Sequence, residues 1–121
     1  MKFRVLLLAG AVVASGSLGA NQRVTIRVSP AVAFAPANLV VRTQVEADHA
    51  NRFIEVVAES PEFYRSSETQ LDGERAPRTA IFEFRALPRG TYQVRAVLKG
   101  VDGDELASDQ VAVEIIDSGG R

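Results

Sequence analysis

The stretch Leu87-Pro88-Arg89-Gly90-Thr91-Tyr92-Gln93-Val94-Arg95-Ala96-Val97-Leu98 decides how this chain is read. Tyr92, Val94, Ala96 and Leu98 recur at every second position, the period of a strand with one buried face. Thr91, Gln93, Arg95, Val97 and Lys99 fall on the opposite face. Ahead of the strand, Leu87 offers a core plug, and Pro88 and Gly90 permit a tight crossing between two sheets. Tyr92 then enters the strand with its ring buried, and a buried tyrosine hydroxyl needs an acceptor, which backbone a few residues upstream can supply. Leu87, Gly90 and Tyr92 are therefore structural residues, and the stretch is a folding device.

The same period of two runs along the rest of the chain. Val24, Ile26 and Val28 alternate with Arg23, Thr25, Arg27 and Ser29. Residues 30–38, with two prolines, read as an irregular connection in which Phe34 plugs the core. Leu39, Val41, Thr43 and Val45 face inward on the next strand, and Asp48-His49-Ala50-Asn51 is a turn cluster. Ile54, Val56 and Ala58 point inward on a third strand, leaving Phe53, Glu55 and Val57 outward. Residues 60–78 show no clear period, and short strands near Phe63 and Leu71 are the most they imply. Phe82, Phe84 and Ala86 resume the inward pattern, and Val111, Val113 and Ile115 close it after an Asp102-Gly103 hairpin signal. About seven strands with turn signals roughly every ten residues predict an antiparallel β-sandwich. No helical period is sustained and no internal repeat is present.

Leu87-Pro88-Arg89-Gly90-Thr91-Tyr92 resembles the corner that links the sheets of immunoglobulin-like, fibronectin type III-like and PKD-like sandwiches. Residues 35–41 resemble the PKD-type entry into a second strand, and residues 90–115 the closing hairpin of such modules. The resemblance implies an all-β, immunoglobulin-like antiparallel sandwich over residues 21–116, followed by a polar tail at 117–121. It also implies a non-enzymatic module of the bacterial cell envelope. A transthyretin-like regulatory module shares the corner but opens on a Gly-x-Val strand that this chain does not have.

Lys2 and Arg4 precede ten apolar residues, Val5 to Ala14, and small residues up to Ala20. This is the layout of an export signal over residues 1–20, and ten apolar residues are too few to span a bilayer, which takes about 20. The expected location is periplasmic or secreted, with no membrane span after cleavage. There is no cysteine, so an exported domain of this kind relies on its apolar core alone. Net charge is −1 with interspersed signs, which gives no electrostatic footprint for nucleic acid. The arginines read as scattered.

The sequence offers little for catalysis. His49 is the only histidine and sits in a turn, so no base can be paired with Ser66 or Ser67, and a small hydrolase is disfavoured. Asp102, Asp104 and Glu105 form an acidic hairpin tip whose oxygens would suit calcium, yet the Asp-Gly turn explains it equally. No catalytic residue, metal or cofactor is expected. Lys99 faces outward, which argues against an isopeptide crosslink. Two surfaces are candidate binding sites. One is the outer face carrying Phe53, Val57, Arg95 and Val97, with Ile116. The other is the 60–78 segment, where Tyr64 and Arg65 combine an aromatic with a cation. Expected partners are another envelope protein or a second copy. A glycan is the alternative, weakened because there is no Trp.

Overall fold

The structure is a computed structural model that describes residues 23–118. The expected export signal at residues 1–20 lies outside the described residues. The described chain is all-β, with eight strands and one short 3-10 turn, Gly73–Arg75. The strands are β1 Val24–Ser29, β2 Val32–Phe34, β3 Ala37–Val45, β4 Phe53–Ser60, β5 Phe63–Gln70, β6 Thr79–Leu87, β7 Gly90–Lys99 and β8 Glu105–Ile116. A three-stranded sheet runs β1-β3-β6 and a five-stranded sheet β2-β8-β7-β4-β5. Their facing sides make the core, as expected of a sandwich.

The alternation read from the sequence places that core. Ile54, Val56 and Ala58 on β4 and Tyr92, Val94, Ala96 and Leu98 on β7 are all buried, opposed by Leu39, Val41, Phe82 and Phe84 of the smaller sheet. Leu87 is fully buried, and the Tyr92 hydroxyl donates to the Pro88 carbonyl oxygen at 2.7 Å. Gly90 is required by close approach: a Cβ there would stand 3.2 Å from Ser60 and 3.3 Å from the Tyr92 ring.

Five features depart from the sequence reading. There are eight strands instead of about seven. They are not all antiparallel, since β2 pairs parallel to the end of β8, with Val32 opposite Glu114 and Phe34 opposite Ile116. Phe34 is no core plug; it lies 63% exposed, because that pairing turns it to the solvent side beside Ile116. The unpatterned 60–78 segment begins with a full strand, β5, joined to β4 in a hairpin with Ser60 opposite Phe63. As an edge strand exposed from Ser66 to Gln70, it has no buried face to impose alternation. Ala86 faces out, with φ 58°, because β6 carries one extra residue against β3 between Phe84 and Leu87. This bulge hands the inward position to Leu87.

The two sheet edges that flank the core are closed by side chains. The Asp109 carboxylate on β8 accepts the Ile26 N–H of β1 at 3.1 Å. On the opposite side, Arg65 Nη1 of β5 donates to the Arg85 carbonyl of β6 at 2.7 Å.

Candidate functional site

The binding residues read from the sequence do not form one surface. Val57 and Val97 point away from the core as expected but are only 5% and 4% exposed. Val97 stands opposite Glu55 on β4, whose carboxylate accepts from Lys99 Nζ at 2.8 Å; Lys99 also reaches Glu68 on β5 at 3.4 Å. Long charged side chains lie along apolar surface with their heads in water, and this ion-pair cluster, with half-buried Arg95 opposite Val57, roofs the valines. Phe53 is half-buried. The expected contiguous apolar patch on this face is therefore absent. Arg65 is a bridge between the sheets, its guanidinium 5.1 Å from the Phe63 ring centre, while Tyr64 is exposed by itself on the edge strand. Apolar exposure is found instead at Val32, Phe34 and Ile116, at the β2 edge.

His49 is exposed, with its Nδ1 3.6 Å from Asp48. A backbone hydrogen bond from Ala50 holds the Asp48 carboxyl below its ordinary range, with burial opposing it and Arg23 and His49 adding to it. Asp102 and Asp104 are exposed in the β7–β8 connection, where Gly103 takes a φ of 80°, and Glu105 is exposed at the start of β8. No group of three or more His, Asp or Glu able to hold a metal ion forms among the described residues.

The outer face of the three-stranded sheet is the site that sequence reasoning missed. The register of β1 on β3 sets Arg27 directly opposite Arg42, with Ile81 of β6 completing the row. Ser29, Val40 and Glu83 form the next row. Like charges placed opposite one another on a sheet are destabilising, so the pairing carries a cost. Among the described residues neither arginine joins an ion pair. The acids close by are committed elsewhere: Glu83 binds Arg85 at 3.0 Å, and Asp109 accepts from the Ile26 and Gln110 N–H groups. A chain of net charge −1 thus presents one face on which Arg27, Arg42 and Arg85 meet only Glu83.

The surface is hollowed at this point. A depression of about 540 Å³ over β1 is lined by both arginines and by Val28, Val40 and Val111. A second, of about 400 Å³, lies at the end of the same sheet between Arg23, Thr25, Gln44 and Arg78. Both fall within the size range of small-ligand sites, roughly 300–1,000 Å³. The signal for this face lay in the spacing of Arg27 and Arg42 on outward positions of two strands, but their juxtaposition is a fact of register.

No protein-family model matches the chain, and no curated protein sequence does. A solved structure does match: the superoxide reductase (neelaredoxin) from Ignicoccus hospitalis, with a TM-score of 0.61 and 13% identity, covering 78% of this chain and 80% of that one. At that identity the likeness is one of fold. It overturns two expectations. The kinship implied by the corner motif, with immunoglobulin-like, fibronectin type III-like or PKD-like modules, is corrected, because the corner is shared physics of a crossing between sheets and the matching chain is a superoxide reductase. The expectation of a non-enzymatic accessory module is corrected as well, since the protein matched in fold is an enzyme by name. The glycan-binding alternative has no support either.

Proposed function

We propose that the protein binds an oxyanion, a carboxylate or phosphate group, between Arg27 and Arg42 on the outer face of its three-stranded sheet. The observation that carries this reading is the register pairing of two arginines without an acid to neutralise either. Guanidinium groups bind carboxylate and phosphate through two parallel hydrogen bonds, and two neighbouring forks relieve their mutual repulsion by sharing one anion. The hydroxyl of Ser29 beside them is a further donor on the same face. The layout of residues 1–20 supports a periplasmic location, where such a ligand would be met.

The test is a titration of inorganic phosphate and acetate followed by amide NMR shifts, at low chloride because exposed charges are screened by salt. Saturable shifts centred on Arg27, Arg42 and Ser29, lost in Arg42→Ala, are expected. Equal shifts in wild type and in the Arg27→Ala/Arg42→Ala variant would refute the site.

A second reading is the oxidoreductase activity in the name of the protein matched in fold. One-electron chemistry on superoxide calls for a redox-active cofactor or metal, held in proteins by imidazole, thiolate or carboxylate groups. This chain has one histidine and no cysteine, that histidine is exposed, and the described acids do not converge. The residues present do not fit such a centre, and no catalytic step is derived through one. Superoxide consumption by the purified protein, lost in His49→Ala, would restore the redox reading.

A further inference from the structure

The anion site has an apolar side, and this narrows its ligand. The depression that holds Arg27 and Arg42 continues onto Val28, Val40 and Val111. Its apolar stretch exists because β2 covers β8 only at Glu114–Ile116, so the part of β8 bearing Val111 is paired with β7 alone and its other edge carries no strand, and β1 of the other sheet faces it across the seam. Val28 and Val111 are half-buried at that seam, and Val40 is 42% exposed on the arginine side. Asp109 closes the seam on one side by accepting the Ile26 N–H.

Resting on the oxyanion reading, we propose that the ligand is an amphipathic one, a free alkyl carboxylate of medium chain length. Its head lies between the two guanidinium groups and its chain lies along Val40, Val28 and Val111. The charge complementarity is that of the paired arginines with a single carboxylate. The apolar strip begins next to Arg42, since Val40 occupies the same face two positions earlier on β3. A purely inorganic anion would leave that strip wet.

The experiment compares acetate with octanoate, both below the concentration at which octanoate forms micelles, by calorimetry and NMR shifts on the intact protein. Burial of one methylene tightens binding about fourfold. A chain lying in an open groove should bury part of its length, so octanoate should bind at least tenfold more tightly than acetate. Val40→Ser, at an exposed position, should lower octanoate affinity several-fold more than acetate affinity. Val111→Ser should do the same from the other side of the groove, with the thermal midpoint recorded to show that the variant is folded. Equal binding of acetate and octanoate, both lost in Arg42→Ala, would overturn this inference and leave the oxyanion reading standing. No binding of either, or binding indifferent to Arg42→Ala, would overturn both. Binding to anionic lipid vesicles with none to monomeric octanoate would overturn the free-ligand assignment.

Discussion

Replacing Tyr92 by Phe deletes one oxygen at a fully buried ring, and the structure sets the size of the effect. The hydroxyl makes a 2.7 Å hydrogen bond to the Pro88 carbonyl. Pro88 itself is exposed, so the freed carbonyl can turn to water, and the loss should stay near the ordinary net value of one hydrogen bond, about 1 kcal/mol. For a domain of this size that lowers the midpoint of thermal unfolding by about 4–8 °C. Truncation to Ala also empties the space beside Phe63, whose ring packs edge-on at 6.3 Å, and should cost about 3–5 kcal/mol. The pH dependence separates the hydroxyl from the ring. Burial raises the Tyr92 hydroxyl above the usual tyrosine range, against a hydrogen bond with Ser60 and the charge of Arg65, which lower it. The folded state therefore holds that proton more tightly than the unfolded chain. Its contribution is fully present below about pH 10 and is lost as pH rises through the folded value. The Phe variant has no such contribution to lose, so the two curves should converge in alkali. Urea unfolding between pH 7 and 11 measures this. A loss under about 0.3 kcal/mol at pH 7 would refute the corner hydrogen bond as the structure draws it, and curves that stay parallel to pH 11 would refute the burial of its hydroxyl.

Three other perturbations have definite expected outcomes. Lys99→Met leaves Glu55 and Glu68 directly opposite one another on β4 and β5; stability should fall by about 1 kcal/mol at low salt, and by less in 1 M NaCl, as chemical denaturation would show. Ala86→Gly relieves a left-handed backbone at φ 58°, a conformation costing an L-residue about 1–2 kcal/mol against a glycine entropy cost of about 0.5–1 kcal/mol, so the urea midpoint should rise slightly. Asp109→Ala strips the partner from the Ile26 N–H and opens the β1 edge; a loss of about 1 kcal/mol and increased self-association in sedimentation velocity are expected.

The strands that carry the core were legible because one face of each is buried and the other is wet. That condition holds for β1, β3, β4, β6, β7 and the second half of β8, and the alternation of Val24, Leu39, Ile54, Phe82, Tyr92 and Val113 shows it directly. It fails for β5, exposed on both faces along most of its length, and for three-residue β2. Facing is local information; cover is not. Val57 and Val97 point outward as their positions require, yet are buried because Lys99, Glu55 and Glu68 from three strands meet above that face. The candidate site failed to show for the same reason. Arg27 and Arg42 are ordinary outward residues until the β1–β3 register sets one against the other.

The parallel seating of β2 on the end of β8, together with the bond between Ile26 and Asp109 across 83 positions, ties the first strands of the chain to its last. The β1 edge and the outer side of β7 are not finished until β8 has docked. Pairings this far apart in sequence carry their loop-closure entropy before they return any contact, which places folding in the millisecond-to-second range of all-β domains. A chain released before Glu105 would keep the β1-β3-β6 sheet but leave β2 and the outer side of β7 unpaired. The groove beside Arg27 is complete only when β8 brings Val111 against the β1 edge.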